Sequence, residues 1–140
     1  MAQRNSFLAE QEKQANKLAA QVMQFTFLFF TLVLVLNLVG VFKVDKAIMM
    51  IAYVVGSIVL IIPSIMIMKL KLDSGFVKYM VMIGAVIFVT LLTITLTRHV
   101  VVFYVYPIAI ASLYFSKKLN VVATVLTVVG VSAGQIAAFY

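Results

Sequence analysis

Few side chains in this 140-residue chain can do chemistry, and the most suggestive of them sit together. Arg98 and His99 are adjacent and break a long apolar run, with Tyr104 and Tyr106 just beyond. A histidine at such a place can titrate near neutral pH or meet an external ligand. Arg98, His99, Tyr104 and Tyr106 are therefore the candidates for ligand binding or sensing. The plainer reading is preferred: Arg98 reaches for headgroups and the tyrosines join the interfacial aromatic belt. The lone histidine has no second ligand nearby in sequence, so no metal site is expected.

The remaining acids are Glu10, Glu12, Asp45 and Asp73, and none lies inside an apolar stretch. Cysteine is absent, which removes disulfides, thiolate metal sites and thiol nucleophiles. Hydrolytic chemistry needs converging acids, bases or nucleophiles, so no catalytic residue, no cofactor and no enzyme activity is expected. Ion-driven carriers place an ionisable group near the bilayer midplane. Here no apolar run contains Asp, Glu or Lys.

These groups have to be held by elements of an unusual kind. The chain is 65% hydrophobic and 11% charged, with a mean hydropathy of +1.19. A soluble domain is typically about 25% charged, so a water-soluble monomer is excluded. The net charge of +7 does not point to nucleic acid, because the basic residues flank apolar runs rather than clustering on one surface. The partner they fit is the lipid bilayer.

Residues 1–21 predict a short amphipathic helix, with Phe7, Leu8, Gln11, Ala15, Leu18 and Val22 near one face. It reads either as a membrane-surface helix or, preferred because the apolar face is thin, as a solvated extension of the first span. Residues 22–140 predict a bundle of about five transmembrane helices. The spans fall at about 22–42, 47–68, 79–97, 100–115 and 119–140, each judged against the ~20 residues that cross a hydrocarbon core. Pro63 falls within the second and Pro107 within the fourth. The turn at 97–99 is tight and the fourth span short.

Eight Lys and Arg flank the amino-terminal side of these spans and three the other. The positive-inside rule then places the amino terminus in the cytoplasm of a cell (inner) membrane and the end of the fifth span outside. Gly130, Gly134 and Ala138 recur every four residues on the fifth span, the small-residue spacing that lets two backbones approach closely. That face fits a homodimer or oligomer seam, or packing inside one bundle, the latter preferred with four other helices at hand. Thr90, Thr93, Thr95, Thr97 and Asn37 read as interhelical packing groups.

The stretch from Arg98 to Leu119, Arg-His-Val-Val-Val-Phe-Tyr-Val-Tyr-Pro-Ile-Ala-Ile-Ala-Ser-Leu-Tyr-Phe-Ser-Lys-Lys-Leu, resembles the amino-terminal multi-pass regions of bacterial signalling proteins. In that family five or six helices precede a chemoreceptor, histidine kinase or diguanylate cyclase output. The resemblance implies packing and topological roles for Tyr106, Pro107, Tyr114, Phe115 and Lys117. It also implies a cytoplasmic output domain beyond Tyr140, reached through a sixth helix. The function expected is thus a non-catalytic membrane input module of a signal-transduction protein. The alternative is a small oligomeric transporter or channel subunit.

Overall fold

The structure, a computed structural model, describes residues 2–41, 44–70, 75–96 and 101–139, with the backbone alone at 2–6, 101 and 102. Among these the chain forms helices α1 (Ala2–Val39), α2 (Lys46–Met68), α3 (Val77–Leu96), α4 (Val105–Ser112) and α5 (Lys117–Phe139). A single 3-10 turn, Val101–Tyr104, leads into α4, and no strand is present among the described residues. The all-α bundle expected from composition is what forms.

Local chemistry sets the boundaries. α1 runs through position 21 without a break, so the polar start and the first apolar run are one helix, the extension reading. Its inward stripe is Ala15, Ala19, Ala20 and Met23, while Phe7, Leu8 and Leu18 of the expected apolar face are exposed. Small alanines suit this face because neighbours come close to it, Ser64 of α2 at Ala20 and the residues after α4 at Ala15. The helix ends at Gly40, whose φ of +91° is the left-handed C-cap conformation, with Val41 N–H donating to Leu36 O at 2.9 Å. Asp45 opens α2 by accepting from the N–H groups of Ala47 and Ile48 at 2.9 and 3.1 Å.

Four of the five helices are long and apolar enough to cross a membrane: α1, α2, α3 and α5. The expected fourth span, 100–115, is not a full-length helix. α4 has eight residues, about 12 Å at 1.5 Å per residue against a hydrocarbon core of about 30 Å. Pro107 lies in its first turn, where its missing N–H costs no helical bond.

Even so, the chain makes a fourth leg. α3 and α5 are parallel, because Gly130 faces Thr90 and Gly134 faces Thr93. The residues between them must return from one end of the bundle to the other. α4 does so, with Tyr106 beside Thr26 and Tyr114 beside Asn16, ten residues lower on α1. The order is up, down, up, a short leg down, and up. The turn expected at 97–99 lies outside the described residues.

α3 is the central helix, with Val77, Val81, Met82, Ala85, Phe88, Val89 and Leu92 buried. Glycines allow the closest approaches. The Phe30 ring sits on Gly56, where an added Cβ would come within 2.8 Å of it, and meets Phe88 edge-on at 5.2 Å. Pro63 leaves Val59 O without its helical donor, and that carbonyl packs against the bare face of Gly84. The outer faces of α1, α2 and α5 carry exposed Phe, Leu, Ile and Val, as a lipid-facing surface does.

Candidate functional site

Several polar side chains inside the bundle bridge different helices, while Thr93, Thr95 and Thr127 bond to carbonyls of their own helix. Tyr114 donates its hydroxyl to Asn16 Oδ1 at 2.8 Å, and both residues are buried. Tyr106 and Thr26 share a hydroxyl contact of 2.9 Å, while Thr26 also donates to Val22 O. Tyr53 and Thr31 form the same arrangement between α2 and α1 at 3.0 Å. Gln135 on α5 donates to the Tyr104 hydroxyl at 3.0 Å, and Ser64 on α2 donates to Ala20 O on α1 at 3.1 Å. In the four pairs that contain a tyrosine, its ring supplies the apolar body and its hydroxyl finds the partner that burial demands.

Three of these pairs hold α4. Tyr106 and Tyr114 tie it to α1, and Tyr104, at its entrance, ties to α5. The Tyr106 ring also meets Phe88 of α3 at 6.2 Å. A helix of two turns has little intrinsic stability, so these tertiary contacts position it. Interhelical hydrogen bonds in membranes average about 0.6 kcal/mol and reach about 1.7. Such contacts are strong enough to fix one packing and weak enough to be exchanged for another. Outside the apolar layer, Lys78 at the start of α3 pairs with Glu12 on α1.

The residues singled out from sequence separate in space. Arg98 and His99 lie outside the described residues. Tyr104 and Tyr106 point at different helices, α5 and α1, and do not converge on one ligand position. Pro107 is buried. Gly130 and Gly134 face Thr90 and Thr93 of α3 within the same chain, so the small-residue spacing serves packing inside the bundle; Ala138 is half-buried. Asn16, Thr26 and Gln135 were not singled out as partners of the tyrosines. The available signal was a buried-side Asn or Thr on α1 and two tyrosines eight residues apart, which only the antiparallel run of α4 brings into register.

No group of three or more His, Asp or Glu that could hold a metal ion occurs among the described residues. Open clefts among the described residues mark the bundle surface. One of about 850 Å³ lies at the amino-terminal end between α1, the α4–α5 turn and α5. An apolar groove of about 490 Å³ separates α3 from α5, and one of about 220 Å³ separates α4 from α5 beside Tyr104.

The class that fold and composition define is a multi-pass helical membrane protein. No family model, no curated protein and no solved structure matches the chain.

Proposed function

We propose that the chain is the membrane-embedded input module of a bacterial signal-transduction protein, without catalysis of its own, in which α4 is the moving part. The observation that carries this reading is the attachment of α4. The eight-residue helix is tied to α1 through Tyr106–Thr26, and the residues flanking it are tied through Tyr114–Asn16 to α1 and Tyr104–Gln135 to α5. α1, α2 and α3 share a core of interlocked rings around Phe30 and Phe88, and α4 adds Ile110, Ala111 and the Tyr106 ring to its edge. A stimulus that favours a different seating of α4 shifts α5 and α1 together, a population shift between two helix packings. The amino terminus lies on the cytoplasmic side by the positive-inside rule. The five legs then end α5 on the opposite side, so an output beyond Tyr140 requires one more crossing.

The absence of cysteine makes the test direct. Nitroxide labels on Gln21→Cys and Ala109→Cys report the distance between α1 and α4 in vesicles whose acyl chains run from fourteen to twenty carbons. Two distance populations whose ratio follows bilayer thickness, and is displaced by Tyr106→Phe, are expected. A single distance that ignores both changes overturns the reading. Solute-dependent flux through the purified protein in proteoliposomes would replace it with transport.

A further inference from the structure

The directions of the helices gather charge at one end of the bundle. The starts of α1, α3 and α5 and the end of α2 meet there, and with them Lys13, Lys17, Lys69, Lys78, Lys117 and Lys118. The opposite end has Lys46 beside Asp45 among the described residues, and no other lysine. The cleft of about 850 Å³ opens at the basic end, within the size range of small-molecule sites. On α1 its lining passes from Gln11 and Gln14 to Leu18 with depth, and Leu113 joins Leu18. From Gln11 to Leu18 is about 10 Å along the helix, the change from polar headgroup to acyl chain that a bilayer makes over a similar depth. Lys117 is the charged residue of the lining and starts α5, where helix polarity also favours an anion. Asn120, on the same wall, has an Oδ1 that is buried and meets no donor among the described residues. Phe115, with 89% of its surface exposed and a φ of +49°, stands at the cleft as an interfacial aromatic does.

The geometry points to a specific binding site for an anionic phospholipid, its phosphodiester headgroup held by Lys117 and the polar rim of Gln11, Gln14 and Asn120, its glycerol and upper acyl chains against Leu18 and Leu113. A headgroup donor such as a glycerol hydroxyl satisfies the Asn120 acceptor. A water-soluble phosphate would leave the apolar floor uncovered, which is why the lipid is the occupant chosen. The site stands independently of the signalling role proposed above.

The chain has no tryptophan, so Phe115→Trp introduces a single tryptophan at the cleft, excited apart from the tyrosines at the red edge of the absorption band. The protein is placed in phosphatidylcholine vesicles with rising fractions of phosphatidylglycerol brominated on its acyl chains. Quenching is expected to saturate at a few mole per cent of the brominated anionic lipid, and to rise only in proportion when brominated phosphatidylcholine is used. Adding Lys117→Gln is expected to raise the half-saturating fraction about five-fold, the effect of one lysine near an anionic surface, while Lys117→Arg keeps it. Equal quenching by the two lipids, or no effect of Lys117→Gln in a protein of unchanged helicity, overturns the site. Displacement of the brominated lipid by soluble glycerol phosphate also overturns it, assigning the cleft to a water-soluble phosphate ester.

Discussion

Gly134→Ala tests a close parallel contact between α3 and α5. A Cβ at this position would lie 3.2 Å from Thr90 O, 3.3 Å from Thr93 Cβ and 3.4 Å from Thr93 Cγ2. Optimal carbon contacts are about 3.5–4.0 Å, so three neighbours are too near by a few tenths of an ångström. None can turn away. One is main chain of α3, and Thr93 is fully buried with its hydroxyl donated to Val89 O at 2.9 Å. α5 must therefore move off α3. Overpacking of this kind costs about 1–3 kcal/mol, offset by about 1 kcal/mol from replacing Gly by Ala within a helix. A net loss of about 1 kcal/mol is expected for Gly134→Ala, and a loss above about 3 kcal/mol for Gly134→Leu, whose larger side chain has nowhere to go. Ala133, exposed on the same turn, supplies the control: Ala133→Leu stays within about 0.5 kcal/mol. Reversible unfolding in mixed micelles with rising dodecyl sulfate, followed by far-ultraviolet circular dichroism, measures all three. Crosslinking of the same samples reports self-association. Unchanged stability of Gly134→Leu with loss of a crosslinked dimer would refute the reasoning, because the glycine face would then belong to a second copy.

Two further outcomes follow from the polar contacts. Gly130→Ala drives a Cβ to 2.6 Å from Thr90 Oγ1, so it is expected to cost about 1–2 kcal/mol alone and much less with Thr90→Ala; additive losses in that double-mutant cycle would show that the two residues are not opposed. Tyr114→Phe removes the hydroxyl and leaves the buried Asn16 acceptor unpaired, an expected loss of about 1 kcal/mol. The double variant Asn16→Leu with Tyr114→Phe, which leaves no orphan, is expected to be less destabilised than Tyr114→Phe, and the same unfolding assay decides between these orders.

The sequence was a good guide where the governing physics is local. A charge-free run of about twenty residues reads as a span wherever it occurs, because the bilayer core has no water for the side chains or backbone. Hence α2 and α3 fall within a few residues of their expected limits, and Asp45 marks the start of α2 through its own side chain. The polar start of α1 is continuous with the first apolar run, and of its expected face Ala15 and Val22 turn inward while Phe7, Leu8 and Leu18 do not. The larger members of the stripe, Leu8 and Leu18, stay exposed, and the small Ala15, Ala19 and Ala20 form the inward face. Hydrophobicity is a weak guide to which face is buried when the solvent itself is apolar.

Composition alone thus determined that this is a membrane bundle, that its interior runs carry no Asp, Glu or Lys, and that one set of termini is basic. Those statements depend on single residues and their surroundings in lipid. Only the tertiary structure decided that α3 and α5 run parallel with a short α4 returning between them, that Gly130 and Gly134 meet Thr90 and Thr93, and that the hydroxyls of Tyr53, Tyr104, Tyr106 and Tyr114 find partners on other helices. The reason is that these are choices among partners. Every apolar helix is equally content in lipid, so helix selection rests on small residues that permit close approach and on polar groups that must meet, and both are settled between residues as distant as Asn16 and Tyr114.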